Sequence, residues 1–227
     1  MKLTFYGHAC FGLEVNGKCL LFDPFISNNE LAKDVDVDKI KADYILLSHG
    51  HDDHIADALR IAKNNDATIV SNYEIVSWYE TKHGYAKAHP MNHGGSWDFD
   101  FGKVKYTNAV HSSVLPDGSY GGNPGGFIVS SNDRCFYYAG DSALTMDMKL
   151  VPMWGKLDFA VLPIGDNFTM GIEDAVVAAE FIECDKIIAV HFDTFGYIKI
   201  DKEKAVDAFK SKGKELLLLE IGQSIEL

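Results

Sequence analysis

Three histidines and two aspartates stand within six residues in His49-Gly50-His51-Asp52-Asp53-His54. Neutral imidazole nitrogens and a hard carboxylate oxygen are the donors that a divalent transition metal takes. A chance match to His-x-His-x-Asp-His in a chain of this composition arises roughly once in a thousand sequences. Farther along, His111, Asp141 and His191 each sit at, or within two residues of, the end of a short apolar run of strand type. Loops at strand ends gather side chains into one crevice. One metal needs about three protein ligands and a water, and these residues suffice for two, so a dinuclear site follows. The alternative is a solvated loop in which Asp52 or Asp53 only caps the next helix. It leaves two further histidines and Gly140-Asp141 at strand ends unexplained.

The elements that must position these residues are legible in part. Residues 4–13 alternate loosely, and Asn16-Gly17 suits a tight two-residue hairpin between apolar flanks. Asp43-Tyr44-Ile45-Leu46-Leu47 is a buried-strand run feeding the histidine loop, after which Ile55, Leu59 and Ala62 keep helical spacing. Strands are expected at 67–70, 104–110, 127–129, 135–138, 159–162, 187–190 and 216–219. The run 127–138 forms a hairpin around Ser131-Asn132-Asp133. Helices are expected at 73–82, 172–182 and 202–212, and a Gly-rich loop at 89–95. Strands mix with helices to the end, so the class is a mixed α/β layered domain. No internal repeat or linker marks a boundary, and residues 1–227 read as one domain.

Subtracting 33 acidic from 21 basic residues leaves −12, which repels phosphate backbones and anionic lipid. Nucleic acid and membrane are therefore disfavoured as partners, while bound metals would add about four positive charges locally and keep a small phosphorylated substrate admissible. Cys10, Cys19, Cys135 and Cys184 form no Cys-x-x-Cys pair and read as reduced core residues. With no apolar h-region at the N-terminus, the expected location is cytoplasmic.

The sequence resembles the metallo-β-lactamase superfamily, and within it the cytoplasmic metal-dependent hydrolases similar to ascorbate-6-phosphate lactonases. The resemblance runs over essentially the whole chain: Gly7-His8-Ala9-Cys10-Phe11, Phe22-Asp23-Pro24-Phe25, the 48–54 motif, Met91-Asn92-His93-Gly94-Gly95, Ala139-Gly140-Asp141-Ser142, the 163–170 segment and Ala189-Val190-His191-Phe192. It implies a four-layer αβ/βα sandwich of two mixed sheets, with metals at one edge. It further implies His49, His51 and His111 on a first metal, Asp53, His54 and His191 on a second, and Asp141 bridging. Zinc is the first expectation for both ions, with manganese, nickel or iron as alternatives. Water shared by two dications ionises near neutral pH and becomes a nucleophile, while a metal polarises the substrate oxygen; Asp53 can also hold the proton. The oxygen-reducing branch would carry Glu where this chain has His51, so hydrolysis is favoured over electron transfer. The lactonase resemblance also implies a homo-oligomer.

Weaker signals complete the set. His8, in a turn at the implied mouth of the site, is a candidate substrate ligand or proton donor, against a hydrogen-bonded loop histidine. Asp23 is either a turn residue or a carboxylate orienting a ligand imidazole. Asn167 and Thr169 lie in a polar, Gly-bounded loop suited to substrate contact, unless Thr169 or Glu173 merely caps the next helix. His83, His89 and His93 read as surface or loop residues, and Phe136-Tyr137-Tyr138 as core. The leading function is a metal-dependent hydrolase of a small ester, lactone or phosphodiester. A transfer-RNA-processing ribonuclease of the same superfamily would need a basic arm that is absent. A non-catalytic metal-binding module keeps the fold without turnover.

Overall fold

The computed structural model describes residues Met1–Leu227. Its first sheet begins with β1 (Lys2–Gly7), β2 (Cys10–Val15) and β3 (Lys18–Phe22), an antiparallel meander, and continues with β4 (Tyr44–Leu46). After α1 (Asp52–Ile55) and α2 (Ala58–Asn65) come β5 (Thr68–Asn72), α3 (Tyr73–His83) and β6 (Ala88–Met91). The second sheet holds β7 (Ser96–Phe99), β8 (Gly102–Asn108), β9 (Gly125–Ser131), β10 (Arg134–Tyr138) and β11 (Phe159–Pro163). Following α4 (Ile172–Phe181) are β12 (Lys186–Val190), α5 (Lys202–Ser211) and β13 (Glu215–Leu217), and β14 (Ser224–Glu226) returns to the first sheet.

Strand orders are β14-β1-β2-β3-β4-β5-β6 and β13-β12-β11-β10-β9-β8-β7. Each sheet has three antiparallel pairings followed by three parallel ones. The two halves thus share an architecture although the sequence carries no repeat. Pairing directions make β1, β3 and β4 run one way in the first sheet, and β8, β10, β11 and β12 run one way in the second. Every candidate residue follows one of these strands.

Alternation along the strands builds the layers. Leu20 and Phe22 of β3 face the second sheet, in a core with Phe11, Phe127, Phe136, Tyr138, Phe159 and Val161. Leu21 points the other way, against Ile61, Ala62, Ile75 and Tyr79 of the helices. In β11, Ala160 and Leu162 turn outward onto Ala175, Ala179 and Phe209. The order is helix, sheet, sheet, helix, the four-layer sandwich expected. Phe136 is fully buried, stacked on Phe159 at 5.0 Å and edge-on to Phe22 at 5.9 Å. Phe136→Ala is expected to lower unfolding free energy by about 3–5 kcal/mol through lost burial and a residual cavity, read by chemical denaturation.

Several local expectations are met and others corrected. Asn16 and Gly17 have φ of +48° and +75°, the positive pair that a type I′ turn requires. The helix expected through Ile55, Leu59 and Ala62 is broken in two. The Asp57 amide donates to Pro24 O at 3.1 Å instead of continuing the ladder, while its carboxylate holds Ile26 N, Ser27 N and the Ser27 hydroxyl at 2.7, 2.8 and 2.5 Å. The loop expected at 89–95 starts as β6, an edge strand that tolerates Pro90. The 3-10 segment Met146–Trp154 and β14 carry no strong periodicity and were not expected. Cys10, Cys135 and Cys184 are buried, but Cys19 is only half-buried, facing a groove lined by Lys39 and Lys41. No helix is long and apolar enough to cross a membrane.

Candidate metal centre

His8 follows β1 directly, Asp23 follows β3, and Ser48-His49 follow β4. In the second sheet His111, Asp141 and His191 follow β8, β10 and β12. Bonds between the sheets hold this edge: His191 N donates to His8 O at 2.8 Å, and Gly125 N and the Tyr106 hydroxyl both reach Ser48 O, at 3.0 and 3.1 Å. Gly140 has φ of +63°, and a Cβ there would stand 2.7 Å from Gly125 O and 2.8 Å from Ser48 Cβ, so only glycine brings Asp141 this close. A Cβ on Gly165 would overlap His191 O. His8, Asp23 and His191 themselves hold φ of +54°, +40° and +56°, a strain of about 1–2 kcal/mol apiece that the surrounding contacts must offset.

Two groups of donor atoms converge. His49, His51 and His111 form one; Asp53, His54, His191 and also His8 form the other, the atoms of each within 4.8 Å of one another. In the first group His49 Nε2 faces His51 Nδ1 at 2.9 Å. Asp141 lies between the groups: its Oδ2 is 3.0 Å from His191 Nε2, 3.2 Å from His54 Nε2 and 3.6 Å from His111 Nε2. The structure therefore brings all seven expected ligand residues together.

Behind them Asp23, fully buried, accepts four bonds. Ser48 N donates at 2.7 Å, the Ser48 hydroxyl at 2.5 Å and the Tyr138 hydroxyl at 2.6 Å, and His54 Nδ1 lies at 2.9 Å. The Ser48 oxygen also meets His49 Nδ1 at 2.9 Å. One carboxylate thus orients imidazoles of both groups, the arrangement that fixes a ligand's tautomer and aim. His8 is wedged between Asp53 Oδ2, 3.1 Å from its Nε2, and the Thr194 hydroxyl, 2.9 Å from its Nδ1. Neither Asp52 nor Asp53 caps α1, whose N-cap His51 makes no side-chain cap bond; α4, capped by Gly171, uses neither Thr169 nor Glu173.

Electrostatics agree with this packing. Burial, aided by the facing His54, drives the His49 pKa well below the ordinary imidazole value, and burial lowers His51 and His111 as well, leaving the neutral form that binds metals. Burial and the adjacent His191 push His8 down to about 4. Burial opposes ionisation of Asp53 and Asp141, but the imidazoles around them outweigh it and hold both below the usual carboxylate range. His54, flanked by those carboxylates, is raised despite its burial.

Sequence reasoning did not assign Ser48, Tyr138 or Thr194 to the site. Ser48 precedes His49 at a strand end, a usable signal, and Thr194 lies three residues beyond His191. Tyr138 lies in the core as expected, and only the tertiary structure aims its hydroxyl at Asp23. Asn167 and Thr169 lie in the loop after β11; the Thr169 hydroxyl bonds only Met170 O, at 3.3 Å, and the Asn167 side chain makes no intramolecular hydrogen bond. His89 is on β6 against Trp97 and Phe99, His83 ends α3, and the His93 ring is 2.8 Å from Pro124 O, none in the cluster.

The comparisons with known proteins meet this geometry. A family model described as beta-lactamase superfamily domain matches residues 2–191. The chain is 63% identical to a UPF0173 metal-dependent hydrolase of Christiangramia forsetii and 52% identical to one of Methylacidiphilum infernorum, each over 100% of both chains. The chain belongs to the UPF0173 metal-dependent hydrolases of the metallo-β-lactamase superfamily. Igni18, a metallo hydrolase of Ignicoccus hospitalis, superposes on this member of the family with a TM-score of 0.88 at 31% identity, covering 99% of this chain and 97% of that one. An isothiocyanate hydrolase from Delia radicum gut bacteria shares the fold at 20% identity, with a TM-score of 0.81, covering 100% and 99%. The hydrolase family and the two-sheet sandwich expected above are thereby established.

Proposed function

We propose that this hydrolase cleaves a small ester, lactone or phosphodiester at a dinuclear centre. The observation that carries the reading is the Asp141 carboxylate, 3% exposed and facing histidines of both groups. Its Oδ1 and the neighbouring His54 Nε2 are buried without a hydrogen-bond partner. Orphaned polar atoms at the centre of an imidazole cluster fit cations. His49, His51 and His111 would hold one, Asp53, His54 and His191 the other, and Asp141 both. Two divalent ions, zinc or else manganese, nickel or iron, would supply an acidified water and a polarised substrate oxygen.

The chain's own groups do the rest. Asp53, ionised, accepts the His8 Nε2 proton, so His8 Nδ1 accepts from the Thr194 hydroxyl; this tautomer follows from the two partners. The neutral imidazole thus holds the Asp53 carboxylate in place through its Nε2 hydrogen bond. Asn167 and Thr169, on the loop beside His191, offer an amide and a hydroxyl to the substrate.

The test is elemental analysis of the purified and the zinc-, manganese- or nickel-reconstituted protein, with hydrolysis of bis(p-nitrophenyl) phosphate and a γ-lactone followed in parallel. Expected are about two metals per chain and hydrolysis that chelation removes and reconstitution restores. Protein that takes up no metal and stays inactive overturns the reading. His8→Gln is expected to keep both metals and lower kcat/KM by about 10–100-fold, the worth of an outer partner that orients a site carboxylate.

A further inference from the structure

Three aromatic side chains stay exposed beside this polar centre: Phe168 at 48%, Phe195 at 36% and Tyr197 at 78%. They stand on the loops leaving β11 and β12, which also carry Asn167 and His191. The Phe195 ring meets the His8 imidazole edge-on at 5.3 Å, and Phe168 and Tyr197 meet edge to face at 6.2 Å. Backbone bonds tie both loops down: Met170 N reaches Ser142 O, next to Asp141, at 3.0 Å, and Asp193 N reaches Ile198 O at 2.7 Å. Phe195 thus covers the imidazole that touches Asp53, and Phe168 and Tyr197 pair on loops that leave the same edge of the sandwich.

Charge narrows what could lie on it. No lysine or arginine pairs with any residue of the centre, and Lys202, at the start of α5, is engaged by Asp193 at 3.4 Å. A phosphorylated tail would have to compete with Asp193 for Lys202, whereas an aryl group would remove both its own surface and these rings from water.

We infer that the substrate carries an uncharged aryl or arylalkyl group next to the scissile bond, received by Phe168, Phe195 and Tyr197. The inference rests on the hydrolase reading and specifies its substrate class. Cations held by the imidazoles and Asp141 would take the reacting carbonyl or phosphoryl oxygen, and the aromatic side chains the substituent. Such an arrangement spends remote binding on orientation at the reacting centre.

Propionate and 3-phenylpropionate share a carboxylate and differ by a phenyl ring, so calorimetric titration of the zinc-loaded protein with both isolates the aromatic side chains. The phenyl compound is expected to bind at least about tenfold tighter, the effect of burying part of one ring. Saturation-transfer NMR with 2-phenylethanol, which carries no carboxylate, reads the same side chains in zinc-loaded and chelator-stripped protein alike. The double variant Phe168→Ala/Tyr197→Ala, both at exposed positions, is expected to erase the phenyl preference and the aryl signal while propionate still binds. Equal affinities for the two acids with no aryl saturation, or a preference untouched by the double variant, overturns the inference. A variant that changes only the sedimentation coefficient also overturns it, because the rings then cover a second copy. Aryl saturation retained by protein that binds neither zinc nor propionate supports the aryl site and counts against the metal centre.

Discussion

Asp141→Ala protein is expected to bind at most about one metal per chain and to lose hydrolysis by at least about 10³-fold, while its metal-free fold survives. Asp141 Oδ2 lies within 3.6 Å of imidazole nitrogens from both donor groups. Without it, His54 and His191 lose their shared carboxylate, and the two halves of the centre lose their link. The fold should tolerate the change, because Asp141 Oδ1 makes no hydrogen bond and Oδ2 meets only imidazoles of the centre. His54 loses the strongest charge that raises its pKa and moves toward the neutral form that burial favours. Thermal melts with and without zinc separate the effects. Zinc at 1,000 times its Kd stabilises by about 4 kcal/mol, or about 10 °C in Tm for a chain of this size. Wild type should show that rise and Asp141→Ala less than half of it. A variant with about two metals and wild-type turnover would remove Asp141 from the centre.

Asp23→Ala should fail in the complementary way, with the fold and the metals damaged together. The carboxylate is fully buried and takes bonds from Ser48 N, the Ser48 hydroxyl, His54 and the Tyr138 hydroxyl. Alanine leaves these donors stranded where water does not reach, at about 1–3 kcal/mol for each that finds no new partner. A loss of about 3–5 kcal/mol follows, near 10 °C in Tm. Freed from Asp23, His54 and Ser48 also lose their aim, and metal affinity should drop about 10–100-fold. Tyr138→Phe is the control. It removes one donor, keeps the ring in the inter-sheet core, and should cost no more than about 1.5 kcal/mol with both metals retained. If Asp23→Ala bound metal as tightly as Tyr138→Phe, Asp23 would be structural only.

The sequence determined which residues could form the donor cluster. His49, His51, Asp53 and His54 lie in one strand-loop-helix connection, so their spacing alone forces them onto one crevice. His111, Asp141 and His191 were legible because each ends a run of buried strand residues, and side-chain chemistry at a strand end does not depend on what lies across the fold. The Asn16-Gly17 turn and the helices at 73–83, 172–181 and 202–211 were legible for the same reason: turn chemistry and 3.6-residue periodicity are local.

Tertiary structure alone decided how those residues are held. Asp23 and Tyr138 are 115 positions apart and His8 and Asp53 are 45 apart, separations over which no periodicity carries information. Whether Asp57 extends a helix or clamps residues 26 and 27 depends on where the loop after β3 lands. That Phe195 meets His8 and Phe168 meets Tyr197 depends on where two loops land, although both rise from strands the sequence announces. The physical reason is the same throughout. Residue type and near spacing specify a donor and its element, whereas the hydrogen bonds that aim it come from chain brought close only by packing two sheets face to face.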